Sequence, residues 1–416
     1  MTTDMGLIKL GIEKLGFYGG RAFIDIADLA DLRRLDPLRM ANLLIRRKTM
    51  NFPWEDPVSF AVNAARPILR PMSAGQRARI SHVIVASESG IDFGKSLATW
   101  IHELLELPKR ARLFEIKQAC YGGTAAVQTA LALLARDGDT DAKALVICTD
   151  LARPVPHSYA EPTQGGGAIA MLLGYEPSIL AIEQGAYGVH GYHVMDACRP
   201  DQDQETGDAE LSVLTYIDCL QHSFADYQAR VGAVDFRTHF DYLAFHTPFG
   251  GMVKGAHRTL SRRLYQGGGA EIEADFHRRL APSLMYCQEV GNIYSGTVFL
   301  ALAGIVASAE FDRRSRIGLF SYGAGCASEF FSGWLGADAQ SALAESGLED
   351  QLHSRYRLTM PDYERVLNAN RRSHFGVRDV QVEPGDLADL YRTIFAGQGI
   401  CVWKGIRHYA REYCDS

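Results

Sequence analysis

A cysteine, a glutamate and a histidine stand at the ends of regular elements in this chain, where the chemistry of each is open to change. Cys120 lies between the strand pattern RLFEIKQ and the helix pattern YGGTAAVQTAL. The partial positive charge of a helix N-terminus lowers a thiol pKa and favours thiolate. Gly122 and Gly123 let other backbone come close. The plainer alternative is a buried apolar cysteine. Glu88 ends the strand VIVASES, where an apolar setting raises a carboxyl pKa into the range useful for proton transfer. Its alternative is a solvated strand-end carboxylate. His246 ends YLAFH, ahead of TPFGG, and is either a working imidazole or a core histidine bonded to backbone. Asn292 opens NIYSGTVF, as a helix cap or as the mirror of Cys120. Glycine turns at 165–167 and 323–325 are able to aim backbone N–H groups at a developing oxyanion. The first of these lacks the strand-to-helix setting of a dinucleotide loop. Taken together, thiol, carboxyl and imidazole are the set needed for acyl transfer to sulfur followed by carbon–carbon bond formation.

The elements that must position these groups alternate between β and α. SHVIVASES, KALVICTD and GGGAIAMLLG are nearly continuous apolar strands, as in a sheet covered on both faces. YGGTAAVQTALALLA and GNIYSGTVFLALAGIVA are small-residue helices that must be buried all round. Asp56-Pro57 opens another helix, DPVSFAVNAARPIL. A helical tract is predicted over roughly 257–289, and DQDQETGDAE (201–210) reads as a solvated acidic loop. Three pairs of segments match loosely between the halves: VIVASESG with YLAFHTPFG, CYGGTAAVQTALALLA with NIYSGTVFLALAGIVA, and ICTD plus GGGAIAMLLG with LFSYGAGCASEFFSG. They predict a duplicated α/β body, with one half at 1–185 carrying Cys120 and Glu88. The other, 186–416, carries His246 and Asn292 and ends in an extension beyond about 340.

Composition narrows the function class. With 416 residues, the length prior is two to three domains at roughly 150 residues each, or one large α/β body. Apolar residues are 47% and charged residues 22%, which is globular usage. The net charge of −6 argues against a nucleic-acid protein, since phosphate binding needs a basic face. No apolar run reaches the roughly 18–20 residues of a membrane helix, and the N-terminus lacks a signal-peptide pattern. Eight cysteines with no CxxC or zinc-type spacing predict a reduced, cytoplasmic protein without a metal site.

The motifs carry a resemblance. GIEKLGFY at 11–18, ASESGIDFGKS at 86–96, FEIKQACYGGTAA at 114–126 and CTDLAR at 148–153 belong to it. So do EPTQGGGAIAM at 161–171, FHTPFGGMVKGA at 245–256, GNIYSGT at 291–297 and LFSYGAGCASEFF at 319–331. Over essentially its whole length the chain resembles the 3-hydroxy-3-methylglutaryl-CoA synthase family. That resemblance implies a thiolase fold, five layers αβαβα built from two duplicated halves, usually as a homodimer. It implies Cys120 as the acylated nucleophile, Glu88 as general acid/base and His246 as the group orienting the acceptor thioester. Asn292, Tyr294, Gly166, Gly325, Cys326 and Lys254 would line the substrate, with the turn before Cys326 sharing oxyanion contacts with Cys120. Two departures stand out. Coenzyme A-using relatives usually carry a lysine at the position of Gly251, and a tyrosine at that of Pro154. Together with GFYGG and HTPFGGMVKGAHR, these make the chain look like the synthases of polyketide β-branching. The substrates implied are phosphopantetheine-linked acyl groups on a donor and an acceptor acyl carrier protein, with no permanently bound cofactor. Clusters at Arg46-Arg47-Lys48 and at Lys109, Arg110 and Arg112 are candidates for a basic rim facing acidic carriers, or are ordinary solvated charge. The alternative is a primary-metabolism HMG-CoA synthase using acetyl-CoA and acetoacetyl-CoA.

Overall fold

A computed structural model describes residues 9–152, 154–158, 160–201, 204–232, 234–265, 268–308, 314–371 and 375–416. Strand β1 (Gly11–Tyr18) is buried at every position but Lys14. Helix α1 (Pro37–Leu43) starts with proline at its first position and Asp36 accepting the Leu38 N–H. Helix α2 (Pro57–Leu69) is begun by a reciprocal capping box between Asp56 and Ser59. There follow β2 (Ile80–Ala86), α3 (Leu97–Leu104), β3 (Arg112–Ile116), α4 (Gly122–Asp137), β4 (Lys143–Leu151) and β5 (Gly166–Gly174). Strand β6 (Leu180–Gly191) crosses into the second half. A hairpin of β7 (Ala197–Asp201) and β8 (Gln204–Gly207) then leads into helix α5 (Ala209–Val231). The remaining framework is β9 (Tyr242–Phe245), α6 (Gly250–Leu264), α7 (Thr297–Ser308), β10 (Arg316–Gly323) and β11 (Ala327–Leu335).

The hydrogen-bonded strand order is β9-β10-β11-β6-β1-β5-β4-β2-β3. β2 runs parallel to β3 and β4, and β9 parallel to β10. The two halves of this sheet meet at Gly11 with Ala181 and Ile12 with Leu180, and Leu10 O accepts from Ile182 N–H at 3.0 Å. Burial explains the layering. One cluster packs α2 and α3 on the outer face of the first half-sheet. A second places α4 and α7 between the two half-sheets. A third packs α5 and α6 on the outer face of the second. The result is the anticipated five-layer αβαβα stack. Its middle layer consists of the two small-residue helices, because alanine and glycine let them approach both sheets closely.

Three regions differ from the sequence expectation. The 257–289 tract is helical but not one helix: α6 ends at Leu264, and after Gly268 helical structure resumes over Gly269–Asp275, passes through a π turn and a 3-10 turn containing Pro282, and ends in a helix at Leu284–Val290. The acidic 201–210 segment is not simply a solvated loop; it supplies β8, and Asp208 caps α5 by accepting from Glu210 and Leu211 N–H. The extension beyond 340 includes, besides helix α8 (Met360–Asn370), a hairpin of β12 (Cys401–Arg407) and β13 (Ala410–Asp415). It packs on Phe52 and Trp54, whose rings stack at 5.0 Å. Among the described residues no helix is long and apolar enough to cross a membrane.

Candidate active site

Asp150, at the end of β4, is the post around which the first wall is built. Its Oδ1 accepts from Glu88 N–H at 2.8 Å, Ser89 Oγ at 2.9 Å and Ser87 Oγ at 3.1 Å. Its Oδ2 accepts from Ser295 N–H at 3.1 Å and from the Ser295 hydroxyl. Burial pushes the Asp150 carboxyl up, and the donors around it oppose that shift. One buried side chain therefore ties the loop after β2 to the turn that opens α7. The approach there is so close that a Cβ on Gly123 would sit 2.1 Å from Ser295 O, so only glycine fits.

Cys120 and Glu88 come together as the sequence predicts. Cys120 Sγ lies 3.6 Å from Glu88 Oε2. Arg199 Nε pairs with Glu88 Oε1 at 3.1 Å, with both side chains only 14% exposed. Burial pushes Glu88 up to about 7, and the Arg199 cation limits the rise. The thiol departs from expectation. Burial first, then the Glu88 carboxylate, push Cys120 well above the ordinary thiol value. The free protein thus holds a protonated sulfur beside a base, not a preformed thiolate. Cys120 also stands ahead of α4, two residues before Gly122, so it is not within the first helical turn.

Arg199 and Glu205 were not singled out in the sequence. The β7–β8 hairpin brings both to the site. The Arg199 guanidinium lies 4.6 Å from the Tyr294 ring centroid and donates to Ser89 Oγ at 3.0 Å. Glu205 Oε2 accepts from Tyr294 Oη and Gln164 Nε2, each at 2.9 Å. Tyr294, buried with φ 52°, thus supports Arg199 from below. The charges flanking a short β pair inside an acidic stretch were the available signal.

On the second wall, His246 follows β9 and is buried. Its N–H donates to Phe320 O at 2.7 Å, and its carbonyl accepts from Tyr216 Oη at 2.7 Å. Its Nδ1 has no hydrogen-bond partner among the described residues. Burial lowers His246 to about 3, so the ring is neutral. β10 runs on from Phe320 to Gly323, and a Cβ there would lie 2.6 Å from Tyr121 N. The strand that anchors His246 therefore ends against the loop of Cys120. Asn292 Oδ1 accepts from Tyr294 N–H at 2.8 Å and Thr297 Oγ1 at 3.1 Å, so it does cap the helix start. Gly166 opens β5 beside that turn, with its neighbour Gly165 donating to Asn292 O at 3.1 Å.

Several of the remaining candidates are otherwise engaged. Gly325 N–H donates to Asp196 Oδ1 at 2.9 Å and Cys326 N–H to Tyr192 O at 2.7 Å. Neither amide is free for an oxyanion in this arrangement. Lys254 on α6 pairs with Glu273. A side chain at Gly251 would meet Asn42 O of α1 at 2.0 Å. Helix α1 therefore leaves no room for a side chain at Gly251. Lys48, a candidate for the basic rim, is fully buried and donates to Glu161 O. Arg47 pairs with Glu289 at 3.1 Å and Arg112 with Asp137 at 2.7 Å. Arg153 of the CTDLAR segment lies outside the described residues. A cleft lined by Ser89, Leu151 and Arg199 on one side and by Asn370, Trp403 and Arg411 of the extension on the other opens beside this site.

Known proteins resemble this chain in sequence and in fold. The family model of the hydroxymethylglutaryl-coenzyme A synthase N terminal matches residues 9–178, and that of the C terminal matches residues 260–395. The chain is 46% identical over 387 residues to the polyketide biosynthesis 3-hydroxy-3-methylglutaryl-ACP synthase PksG of Bacillus subtilis, covering 91% of this chain and 92% of that protein. It is 36% identical to the hydroxymethylglutaryl-CoA synthase of Enterococcus faecalis, covering 86% and 91%. The crystal structure of the curacin biosynthetic pathway HMG synthase in complex with holo donor-ACP matches with a TM-score of 0.94 at 47% identity, covering 98% of this chain and 100% of that one. MvaS in complex with 3-hydroxy-3-methylglutaryl coenzyme A gives 0.86 at 30% identity, covering 98% and 99%. With both family models matched and nine-tenths of its length aligned to these relatives, the chain belongs to the hydroxymethylglutaryl-coenzyme A synthase family.

Proposed function

We propose that this protein is an HMG-ACP synthase-type acyltransferase of polyketide β-branching. It condenses acetyl from a donor acyl carrier protein with a β-ketoacyl group on an acceptor carrier protein, then releases the product by hydrolysis. The geometry that carries the chemistry is the 3.6 Å approach of Cys120 Sγ to Glu88 Oε2. The similarity to PksG and to the donor-ACP complex, together with the filled space at Gly251, favours carrier-bound substrates.

Cys120 sulfur attacks the acetyl thioester as its proton passes to Glu88, and that proton goes on to the departing pantetheine thiolate. Glu88, ionised again, takes a proton from the acetyl methyl. The enolate carbon forms a bond to the acceptor's β-carbon, and Glu88 returns its proton to the new alkoxide. Water then cleaves the thioester, which leaves a carboxymethyl branch and restores the Cys120 thiol. A base near neutrality suits both directions of proton transfer. Neutral His246, with Asn292, orients the acceptor by a hydrogen bond. In this reading residues 1–185 carry the nucleophile and base, residues 186–416 carry the acceptor side, and the working unit is a homodimer in the cytoplasm.

The test is intact-protein mass spectrometry after mixing with acetyl-carrier protein or acetyl-CoA. One acetyl group per chain is expected on the wild type and none on Cys120→Ala, with faster loading from the carrier. Equal loading from acetyl-CoA would replace this donor with that of the coenzyme A-using relatives.

A further inference from the structure

His190, Asp218 and His222 converge where the end of β6 lies against α5. Asp218 and His222 are one turn apart and share a helix face, while His190 reaches over from the strand. His190 Nε2 is 3.4 Å from Asp218 Oδ2, and His222 Nε2 is 3.3 Å from Asp218 Oδ1. All three donor atoms lie within 4.8 Å of one another. The two imidazoles stack with centroids 4.6 Å apart. These separations are long for N–H···O hydrogen bonds, which centre at about 2.9–3.0 Å. The two His–Asp separations, each to a different oxygen of Asp218, are near the edge of a tetrahedron, about 3.4 Å for bonds of about 2.0–2.1 Å to zinc.

We propose that these three side chains bind one divalent transition-metal ion of the zinc type, with water completing the coordination. Two imidazoles and one carboxylate suit zinc, cobalt or nickel; magnesium and calcium take oxygen ligands. The side chains are 30%, 43% and 50% exposed, so the ion has a direct path from solvent. The placement gives it a structural consequence. Tyr192, two residues beyond His190, accepts the Cys326 N–H at 2.7 Å. Cys219, next to Asp218, has its sulfur 3.5 Å from that of Cys326. An ion here clamps the strand and the helix that hold the Gly325–Cys326 turn. No zinc-type spacing announced the site because its ligands are divided between two elements that only the fold brings together.

The experiment uses the full chain, stripped with a chelator and titrated with Zn2+ by calorimetry and with Co2+ by visible absorption. One ion per chain, a tetrahedral Co2+ band and a Zn2+-dependent rise in Tm are expected. His190→Ala and His222→Ala each remove all three, while circular dichroism of the metal-free variants matches the wild type. The milder His222→Gln serves if alanine disturbs α5. Failure of the stripped wild type to take up metal overturns the proposal, as does uptake that survives every one of these variants.

Discussion

Glu88 and His246 follow comparable strands, β2 and β9, in the two halves of the molecule, and the protein surrounds them differently. Burial acts on both in the same sense, toward the neutral form: it raises Glu88 to about 7 and lowers His246 to about 3. Glu88 keeps a cation, Arg199, 3.1 Å away, and its own N–H is held by Asp150. His246 has no charged partner, and its Nδ1 is unbonded among the described residues. Compensated burial leaves a group able to change charge near neutrality; uncompensated burial leaves one that cannot. Environments that push two titratable groups apart assign their roles. In the proposed reaction the first wall moves protons, and the second offers hydrogen bonds.

The strongest test of that contrast is Glu88→Gln. Glutamine keeps the shape and an acceptor for Arg199 but cannot take a proton. General-base loss is worth about 10²–10⁴-fold, and that is the expected fall in exchange of the acetyl-enzyme methyl protons with D2O, read by mass. In the wild type the exchange rate falls about tenfold per unit as pH drops below about 7, because Glu88 is then protonated. Wild-type exchange in the variant would move the base elsewhere. His246→Ala probes the other wall and has a smaller effect. A neutral hydrogen bond contributes about 0.5–1.5 kcal/mol, so the acceptor KM is expected to rise about 2–12-fold. Acetyl loading and the position of the acid limb stay unchanged. A shifted limb would show that His246 titrates after all.

The same contrast marks what was legible in the sequence. The resemblance implied the five-layer stack, while the pattern itself located the apolar strands and the two small-residue helices that form its sheets and middle layer. Cys120, Glu88 and His246 stood at element ends and could be located by pattern and by family motif. Arg199 and Glu205 could not, since their role depends on a short hairpin carrying polar side chains inward from an acidic stretch. The charge state of Cys120 was also hidden. A helix end favours thiolate, but burial and a carboxylate 3.6 Å away favour the thiol, and only the fold shows the second pair. The amides of Gly325 and Cys326 are a similar case, because their partners Asp196 and Tyr192 come from a distant loop.

Arg199→Gln separates support by charge from support by shape. The guanidinium pairs with Glu88 and also holds Ser89 and the Tyr294 ring. Its removal leaves Glu88 and Glu205 as neighbouring carboxyls without compensation, so the protonated form of Glu88 is favoured further. Glu88 ionises at a higher pH than in the wild type, and the acid limb of methyl exchange moves up. A shift of one pH unit gives about tenfold less activity on that limb, recovered at high pH. Arg199→Lys keeps the charge without the planar fork and should return the limb toward its original place while still losing the contacts to Ser89. Should Arg199→Gln instead lower the rate equally at every pH, the cation's part is to hold the hairpin in place. The first wall would then owe its proton chemistry to Asp150 and burial alone.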